Sequence, residues 1–206
     1  MSGTASVLQR IRATRPRPVE PPGERCELCT EPIAEEHGHL VDLEARSLLC
    51  SCRGCYLLFT SEGAGGHRYR AVPDHYRTIA GFDLSAAEWD SLQIPVSVAF
   101  FFHNSTMDGV TAFYPGPAGA TESELPLDTW QEVAGRYPEL AGLQPDVEAL
   151  LVRAARQGPA EGYVVPIDAC YELVGNLRIL WRGFDGGSEA RAYLDTFFAT
   201  VGERAR

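Results

Sequence analysis

The order of apolar and polar residues in the first third of the chain predicts two short strands and a helix. Residues 39–44 and 48–50 contain short runs of leucine and valine bounded by polar residues, a pattern typical of strands. Residues 45–47 between them have the length and composition of a tight turn. The apolar run after Cys52, which extends to Thr60, favours a short helix. This segment is therefore predicted to form a hairpin followed by a helix.

The middle of the chain has strong local signals for a helix and two strands. Ser85 and Glu88 have the spacing of a capping box, which predicts a short helix through about Leu92. Residues 94–102 are rich in β-branched and aromatic residues and too apolar to be exposed on both faces. After a turn, residues 110–114 supply the next strand. We expect an antiparallel hairpin whose first strand lies centrally in a sheet.

The rest of the chain alternates between helical and extended patterns. The predicted elements are, in order, a helix that opens at 128–131 and is interrupted by Pro138, a helix over 146–156, a strand over 163–166, a helix that carries Cys170, a strand over 178–184, and a final helix from Ser188. The final helix places four apolar residues inward, namely Leu194, Phe197, Phe198 and Val201. The chain as a whole predicts an α+β protein with a mainly antiparallel sheet.

Four cysteines form two Cys-x-x-Cys pairs, Cys26 with Cys29 and Cys52 with Cys55, separated by twenty-two residues. Each pair can bring two sulfurs to one ion from a single turn, and two pairs complete a tetrahedral shell. Because that shell leaves no open position, it favours a structural role. The order of knuckle, hairpin and cysteine pair at a helix start resembles a treble clef zinc finger. Zinc is the expected metal, and iron is the alternative because tetrahedral sulfur sites accept both.

Three further residues near the pairs are possible ligands. Cys50 precedes Cys52 by two residues, so on an extended segment both side chains would point to the same side. Cys50 is either a small buried apolar residue or a thiol beside the metal ligands, or it is itself a ligand of the metal or of an iron–sulfur cluster. Either His37 or His39 could replace a sulfur or donate a hydrogen bond to one, although histidines at the mouth of a hairpin are more often polar surface.

Composition narrows the classes of function. The chain has 206 residues, is 45% hydrophobic and carries a formal charge of −10. Phosphate binding rests on a positive surface, so this charge argues against a nucleic-acid partner. The N-terminus lacks the apolar stretch of a secretory signal, and no apolar run approaches the roughly eighteen residues of a membrane span. We therefore expect a cytoplasmic protein with reduced cysteines and no membrane insertion.

The same patterns divide the chain into three segments. Residues 1–24 combine arginine and proline with little apolar surface to bury, which predicts a disordered tail. Residues 25–66 form the metal-binding module and end in a glycine-rich turn. Residues 67–206 are long enough for one hydrophobic core and form the α+β domain.

Polar residues that could perform catalysis are scattered along the sequence. No phosphate-binding loop, nucleophile elbow or zincin signature is present, so no catalytic residue is assigned. Asp168 and Glu172 lie four apart on one predicted helix and could face one site, whereas Cys170 between them is typical of a core position. The residues that a catalytic pocket would have to gather are His67, His75, His103, Asp74, Asp108, Asp168 and Glu172.

Five segments combine the cysteine motif with a more distinctive C-terminal motif: 26–29, 37–42, 49–59, 167–174 and 181–187. Together they resemble an uncharacterised actinobacterial family whose members are typically encoded beside nickel–iron (NiFe) hydrogenase genes. The resemblance covers nearly all of residues 25–200 and implies an accessory, assembly or structural factor. The implied partner is a hydrogenase subunit or maturation factor. Gene neighbourhood is an association and supplies no mechanism.

Three functions remain open at this point. The first is a non-enzymatic zinc-binding accessory or adaptor protein, in which the cysteines hold a small fold and the α+β domain presents a binding surface. The second is an iron or iron–sulfur redox protein that uses the same cysteines. The third is an enzyme of unknown reaction, which a cleft with convergent polar groups would favour.

Overall fold

The structure is a computed structural model that describes residues 23–60, 67–124, 126–155, 159–183 and 186–205. The predicted tail lies almost wholly outside the described residues, as does the glycine-rich turn at 61–66. The described chain forms two sheets in which every strand pair is antiparallel. Helices complete the fold. The predicted α+β class with a mainly antiparallel sheet is confirmed.

The smaller sheet contains the predicted hairpin. Its strands are β1 (Gly38–Asp42), β2 (Ser47–Ser51) and β3 (Tyr69–Ala71), in the order β2-β1-β3. Helix α1 (Arg53–Leu58) follows β2 directly. The hairpin and helix agree with the sequence pattern, whereas β3 has no strong sequence signal. It pairs with β1 from beyond residue 66, and the predicted division into three segments stays a prediction.

The larger sheet has six strands in the order β4-β9-β8-β5-β6-β7. These strands are β4 (Arg77–Thr78), β5 (Val98–Asn104), β6 (Gly109–Gly116), β7 (Gly119–Ser123), β8 (Glu148–Arg153) and β9 (Glu161–Pro166). The predicted hairpin over residues 94–114 corresponds to β5 and β6, and the predicted strand at 163–166 lies within β9. The central position expected for the first hairpin strand is confirmed, since β5 lies between β8 and β6.

Helices cover both faces of the larger sheet. They are α2 (Ala86–Ser91), α3 (Leu127–Ala134), α4 (Pro138–Ala141), α5 (Ile167–Leu180) and α6 (Gly187–Arg204). The predicted capping box of α2 is present in full, and Pro138 occupies the first turn of α4, where its missing N–H costs nothing. None of the helices in the described ranges has the length and apolar character that crossing a membrane requires.

The two central strands are buried on both faces because each face has its own core. Neighbouring residues of a strand point to opposite faces. Phe101 and Leu150 therefore join the core beneath α2, α3 and α4, while Phe100 and Leu151 join the core beneath α5 and α6. All four side chains are at most 1% exposed. This arrangement explains why β5 and β8 read as continuous apolar runs.

Two predicted elements are wrong. The segment predicted as a helix from Asp146 to Arg156 contains strand β8 instead, and Asp146 itself has a φ of 68° outside any helix. The segment predicted as a strand over 178–184 begins as the last turn of α5, which ends at Leu180. Ile179, expected in a sheet, is 70% exposed on that helix.

Candidate metal centre

Four sulfurs lie together at one end of the smaller sheet. The Sγ atoms of Cys26, Cys29, Cys52 and Cys55 all lie within 4.8 Å of one another. The Sγ atoms of Cys29 and Cys52 are 3.6 Å apart. Zinc–sulfur bonds of about 2.3 Å place the sulfurs of a tetrahedral site roughly 3.8 Å apart. The group therefore has the size that one tetrahedral ion requires.

The first cysteine pair is positioned by a tight loop. The backbone N–H of Cys26 donates to the Glu31 carbonyl at 2.9 Å, and the N–H of Thr30 donates back to the Cys26 carbonyl at 2.8 Å. Thr30 has a φ of 65°, which turns the chain sharply after Cys29. Cys26 is buried and Cys29 is exposed. The loop thus brings the sulfurs of Cys26 and Cys29 into the same group.

The second pair is positioned by the start of α1. Cys52 is the residue before the helix, and its sulfur accepts a hydrogen bond from the backbone N–H of Cys55 at 3.4 Å. Glu27 joins the two pairs, since its backbone N–H donates to the Cys50 carbonyl at 2.9 Å and its carboxylate accepts from the Cys50 N–H at 2.6 Å. The first knuckle is therefore fixed to β2, which leads directly into the second pair.

The sulfurs differ in how readily they ionise. Burial raises the pKa of the Cys26 thiol, but hydrogen bonds from the backbone of Cys52, Cys29 and Leu28 outweigh it and bring the pKa to about 6. Burial, together with the neighbouring thiols, raises the pKa of Cys55 to about 12. Four such groups this close together cannot all ionise unless a cation compensates their charge. The donor set fits a thiophilic metal ion.

Cys50 is not part of the four-sulfur group. Although it precedes Cys52 by two residues, Cys52 lies beyond the end of β2 and belongs to the start of α1. Cys50 instead forms a second group with His37 and His39, in which one ring nitrogen of each histidine and the Cys50 sulfur lie within 4.8 Å of one another. The sequence singled out these three residues as possible ligands of the first site but gave no indication of a group of their own.

A cavity of about 950 Å³ lies between the hairpin and the start of α5, and we call it the hairpin cavity. Polar and aromatic residues from the hairpin, α1, the loop after β3 and α5 line it, including His37, His39, Tyr56, Asp74, Asp168 and Glu172. Asp168 and Glu172, predicted to be able to share a site, thus both face this cavity. Nothing in the sequence indicated that Asp168 and Glu172 would lie near His37 and His39.

The other polar residues considered from the sequence lie elsewhere. His75 contacts the buried carboxylate of Glu148 at 2.9 Å, and His103 lies 3.8 Å from Asp108. His67 is exposed. Cys170 is fully buried in the core beneath α5, where burial raises its pKa well above the ordinary value. Among the described residues these four side chains form no common pocket with the metal-binding groups, and the core role expected for Cys170 agrees with its burial.

The fold and the four-sulfur group define an α+β protein with a cysteine cluster near its N-terminus that can bind a metal ion. Residues 25–205 match the profile of a family of unknown function, DUF5947, and the chain belongs to that family. No curated protein and no solved structure matched the chain. The expected membership of an uncharacterised family is consistent with this result, while the association with hydrogenase genes stays a prediction.

Proposed function

We propose that Cys26, Cys29, Cys52 and Cys55 hold a structural zinc ion in a treble-clef-like module, and that the protein acts as a non-enzymatic accessory or adaptor protein. The observation that carries this proposal is the closed set of four sulfurs within 4.8 Å. A tetrahedral ion held by four protein sulfurs has no position for a substrate. The ion then stabilises the knuckle, hairpin and helix, which together bury few apolar side chains.

Zinc is preferred to an iron–sulfur cluster because the four sulfurs lie within 4.8 Å of one another, which is the size of a site for one ion. Cys50, the additional thiol considered as a ligand of an iron–sulfur cluster, lies with the two histidines instead. The iron alternative predicts colour from thiolate-to-metal charge transfer, whereas zinc has a filled d shell and gives none.

The proposed partner is a cytoplasmic hydrogenase subunit or maturation factor. This part rests on the resemblance to a family encoded beside nickel–iron hydrogenase genes. The accessible binding surface would be supplied by the α+β domain, since the four sulfurs are used in holding the module together. The net charge of −10 favours a protein partner over nucleic acid.

Elemental analysis combined with a visible absorption spectrum tests the metal assignment, using the full chain purified without oxygen. We expect zinc and no colour. Cys29→Ser should lose the ion of the four-sulfur site, whereas Cys170→Ala, which removes a thiol from the core, should retain it. Iron with charge-transfer bands, or an unchanged metal content in Cys29→Ser, would contradict the proposal.

Co-purification with hydrogenase subunits from the native host tests the partner. We expect a stoichiometric complex with one hydrogenase subunit or maturation factor that forms with the wild-type chain and is weakened in Cys29→Ser. Absence of any hydrogenase component from the purified complex would contradict the partner assignment and leave the metal assignment standing.

A further inference from the structure

The antiparallel register of the hairpin brings His37, His39 and Cys50 to one face. His39 in β1 is directly opposite Cys50 in β2. Side chains of directly opposed residues lie on the same face of a sheet, about 4.5–5.5 Å apart at Cβ. His37 precedes His39 by two residues and so shares that face. The two imidazole rings have centroids 4.8 Å apart.

His37 presents an unprotonated nitrogen with no partner. Its Nδ1 lies 3.0 Å from the Ala34 carbonyl and 3.1 Å from the Glu35 carbonyl, and because carbonyls only accept, Nδ1 carries the proton. Nε2 is then a lone-pair donor. The side chain is only 9% exposed, and Nε2 is buried without a hydrogen-bond partner among the described residues. A buried polar atom left unpaired in this way is unfavourable, and a bound ion or water molecule would satisfy it.

A carboxylate orients His39 so that Nε2 is the available nitrogen, as it is in His37. Its Nδ1 lies 2.8 Å from Asp168 Oδ2, so Nδ1 donates to the carboxylate and Nε2 is free to bind a ligand. The other oxygen of Asp168 accepts from the backbone N–H of Ala169 at the start of α5, which fixes the carboxylate in place. A carboxylate that holds the distal nitrogen of a histidine is the usual arrangement behind a metal-binding imidazole.

We propose that His37, His39 and Cys50 form a second metal site, separate from the four-sulfur site, that binds a zinc ion through two Nε2 atoms and one Sγ. Ligand atoms of a tetrahedral zinc site lie roughly 3.3–3.6 Å apart, since Zn–N and Zn–S bonds are about 2.0–2.3 Å. One ring nitrogen of each histidine and the Cys50 sulfur lie within 4.8 Å of one another, so rotations of the side chains can bring the three ligand atoms onto one ion. Asp168 is the positioning residue of this site.

The fourth ligand of the second ion comes from the hairpin cavity. The described residues supply three ligand groups, and both histidines line the cavity wall. Zinc with three protein ligands keeps one position for water or for an added small ligand, unlike zinc with four. A second ion with three protein ligands therefore has a position for a small anion, which the closed four-sulfur site lacks.

This inference does not rest on the proposed function, because the two ions have different ligands. Loss of zinc from the four-sulfur site would remove the structural module in the proposed function. Loss from the second site removes an exchangeable ion and leaves the four sulfurs intact. Metal content measured separately for each site distinguishes failure of one proposal from failure of the other.

Metal counting and cobalt substitution of the full chain test the second site. We expect two zinc ions per wild-type chain and two cobalt ions after exchange. His37→Asn, which retains a donor near the position of Nδ1 but removes Nε2, should bind one ion. Cys50→Ser should also bind one. His67→Asn is the matched control, because it makes the same change at an exposed histidine, and it should bind two.

A wild-type chain that binds a single ion, with that ion retained in His37→Asn, overturns the second site. Two ions retained in both His37→Asn and Cys50→Ser also overturn it. Asp168→Asn covers the case in which those variants fail to fold, because it leaves all three ligands in place. Removing such a carboxylate typically weakens metal binding about 10–100-fold. We expect that loss for one of the two ions in a competition titration with Zn²⁺ and a chromophoric chelator, and unchanged affinity for both ions overturns the role of Asp168.

Azide added to the cobalt-substituted protein tests the open position. We expect azide to change the visible spectrum of the wild-type chain and to leave the spectrum of His37→Asn unchanged, since only the second ion accepts an added ligand. A wild-type spectrum that does not respond to azide shows a closed second site and overturns this part of the proposal.

Discussion

At the scale of single residues, the hairpin depends on the absence of a side chain at Gly38. A Cβ atom at this position would lie 2.5 Å from Cδ2 of Tyr56 in α1, closer than real Cβ contacts come. The Tyr56 hydroxyl donates to the Val72 carbonyl at 2.8 Å, and Ser51 Oγ donates to the Gly38 carbonyl at 2.8 Å. Tyr56 thus packs across β1 and joins α1 to the loop after β3.

Gly38→Ala should destabilise the hairpin, because the tyrosine ring must move to accommodate the methyl group. Overpacking of this kind costs about 1–3 kcal/mol. Gly54→Ala is the matched control, since the nearest atom to its Cβ is Cys52 Sγ at 3.9 Å, an ordinary contact. Chemical denaturation of the zinc-loaded chains measures both. Equal midpoints for the two variants would contradict the close contact between Gly38 and Tyr56.

Asp42 makes the stability of the hairpin depend on pH. It is 3% exposed at the end of β1, and the Arg68 guanidinium lies 2.6 Å from its carboxylate. Hydrogen bonds from Arg68 hold the pKa of Asp42 below its ordinary value against the burial that raises it, with further bonds from the backbone of Ala45 and Glu44. Since the folded-state pKa lies below the unfolded-state pKa, Asp42 stabilises the fold above about pH 4.

The stability difference between wild type and Asp42→Asn should therefore be largest near neutral pH and shrink as the pH falls through the folded-state pKa of Asp42. Urea unfolding at a series of pH values measures it, and taking the difference cancels effects common to both chains. Glu44→Gln is the control, because Glu44 is exposed and contacts the same arginine only at 3.3 Å. A stability difference that is independent of pH would show that Arg68 does not perturb Asp42.

At the scale of elements, the sequence correctly predicts the elements that depend on neighbouring residues. It does not predict the elements whose burial depends on distant parts of the chain. The capping box of α2 and the hairpin of β1 and β2 depend on neighbouring residues and were predicted. β8 was not, because Val147, Leu150, Leu151 and Ala154 have helical spacing and also fit a strand buried on both faces. Only the two cores on opposite sides of the sheet decide between these possibilities.

Prediction of the metal-binding residues was likewise limited to those that a local sequence pattern brings together. The spacing of the four cysteines predicted their grouping because each pair comes from a single turn. The second group could not be found from the predicted hairpin, because a turn at residues 45–47 places Cys50 opposite Asp42, whereas the observed register places it opposite His39. The contact between His39 and Asp168 could not be predicted from the sequence either. The two residues are 129 positions apart, and only the packing of α5 against the hairpin brings them together.

Val152→Ala tests the strand assignment of β8. In the structure Val152 is 1% exposed beneath α2 and α3, so its truncation should cost about 1–3 kcal/mol. In the helix predicted from the sequence the same residue would point away from the buried side and its truncation would cost little. Ile179→Ala, at a residue that is 70% exposed on α5, is the control and should change stability by less than about 0.5 kcal/mol. Thermal unfolding of the two variants separates the two assignments.

At the scale of the whole molecule, the smaller sheet and the loop after β3 contact the larger sheet and its helices through polar and apolar groups. Arg70 in β3 donates to the Asp146 carboxylate at 2.9 Å and to the Pro145 carbonyl at 3.0 Å, just before β8. His39 bonds to Asp168 at the start of α5, and Val72 joins the core beneath that helix. The larger sheet has two apolar cores of its own, whereas α1 contains no buried residue. We therefore expect metal binding to contribute to the stability of the smaller sheet and α1 and to contribute little to that of the larger sheet.

Removal of metal with a chelator should unfold the hairpin and α1 while the six-stranded sheet persists. The free energy of zinc binding is folding free energy for a small module of this kind, and the larger sheet is held by its own cores. Hydrogen exchange measures the outcome residue by residue. We expect amide protection to be lost in β1, β2 and α1 and kept in β5 and β8. Simultaneous loss in both parts would contradict the division of the chain into a metal-binding module and an α+β domain.

The pairing of His39 with Cys50 has a consequence for how the second site can vary among chains of this fold. Insertions into the turn between β1 and β2 leave the pairing intact, because the strands on either side keep their partners. Deletion of one β1 residue between His39 and the turn shifts the register by one position and sends both imidazoles to the opposite face from the thiol. The ligand set therefore depends on which residues face each other across the two strands. The number of residues between the ligands in the sequence can vary as long as this alignment is kept.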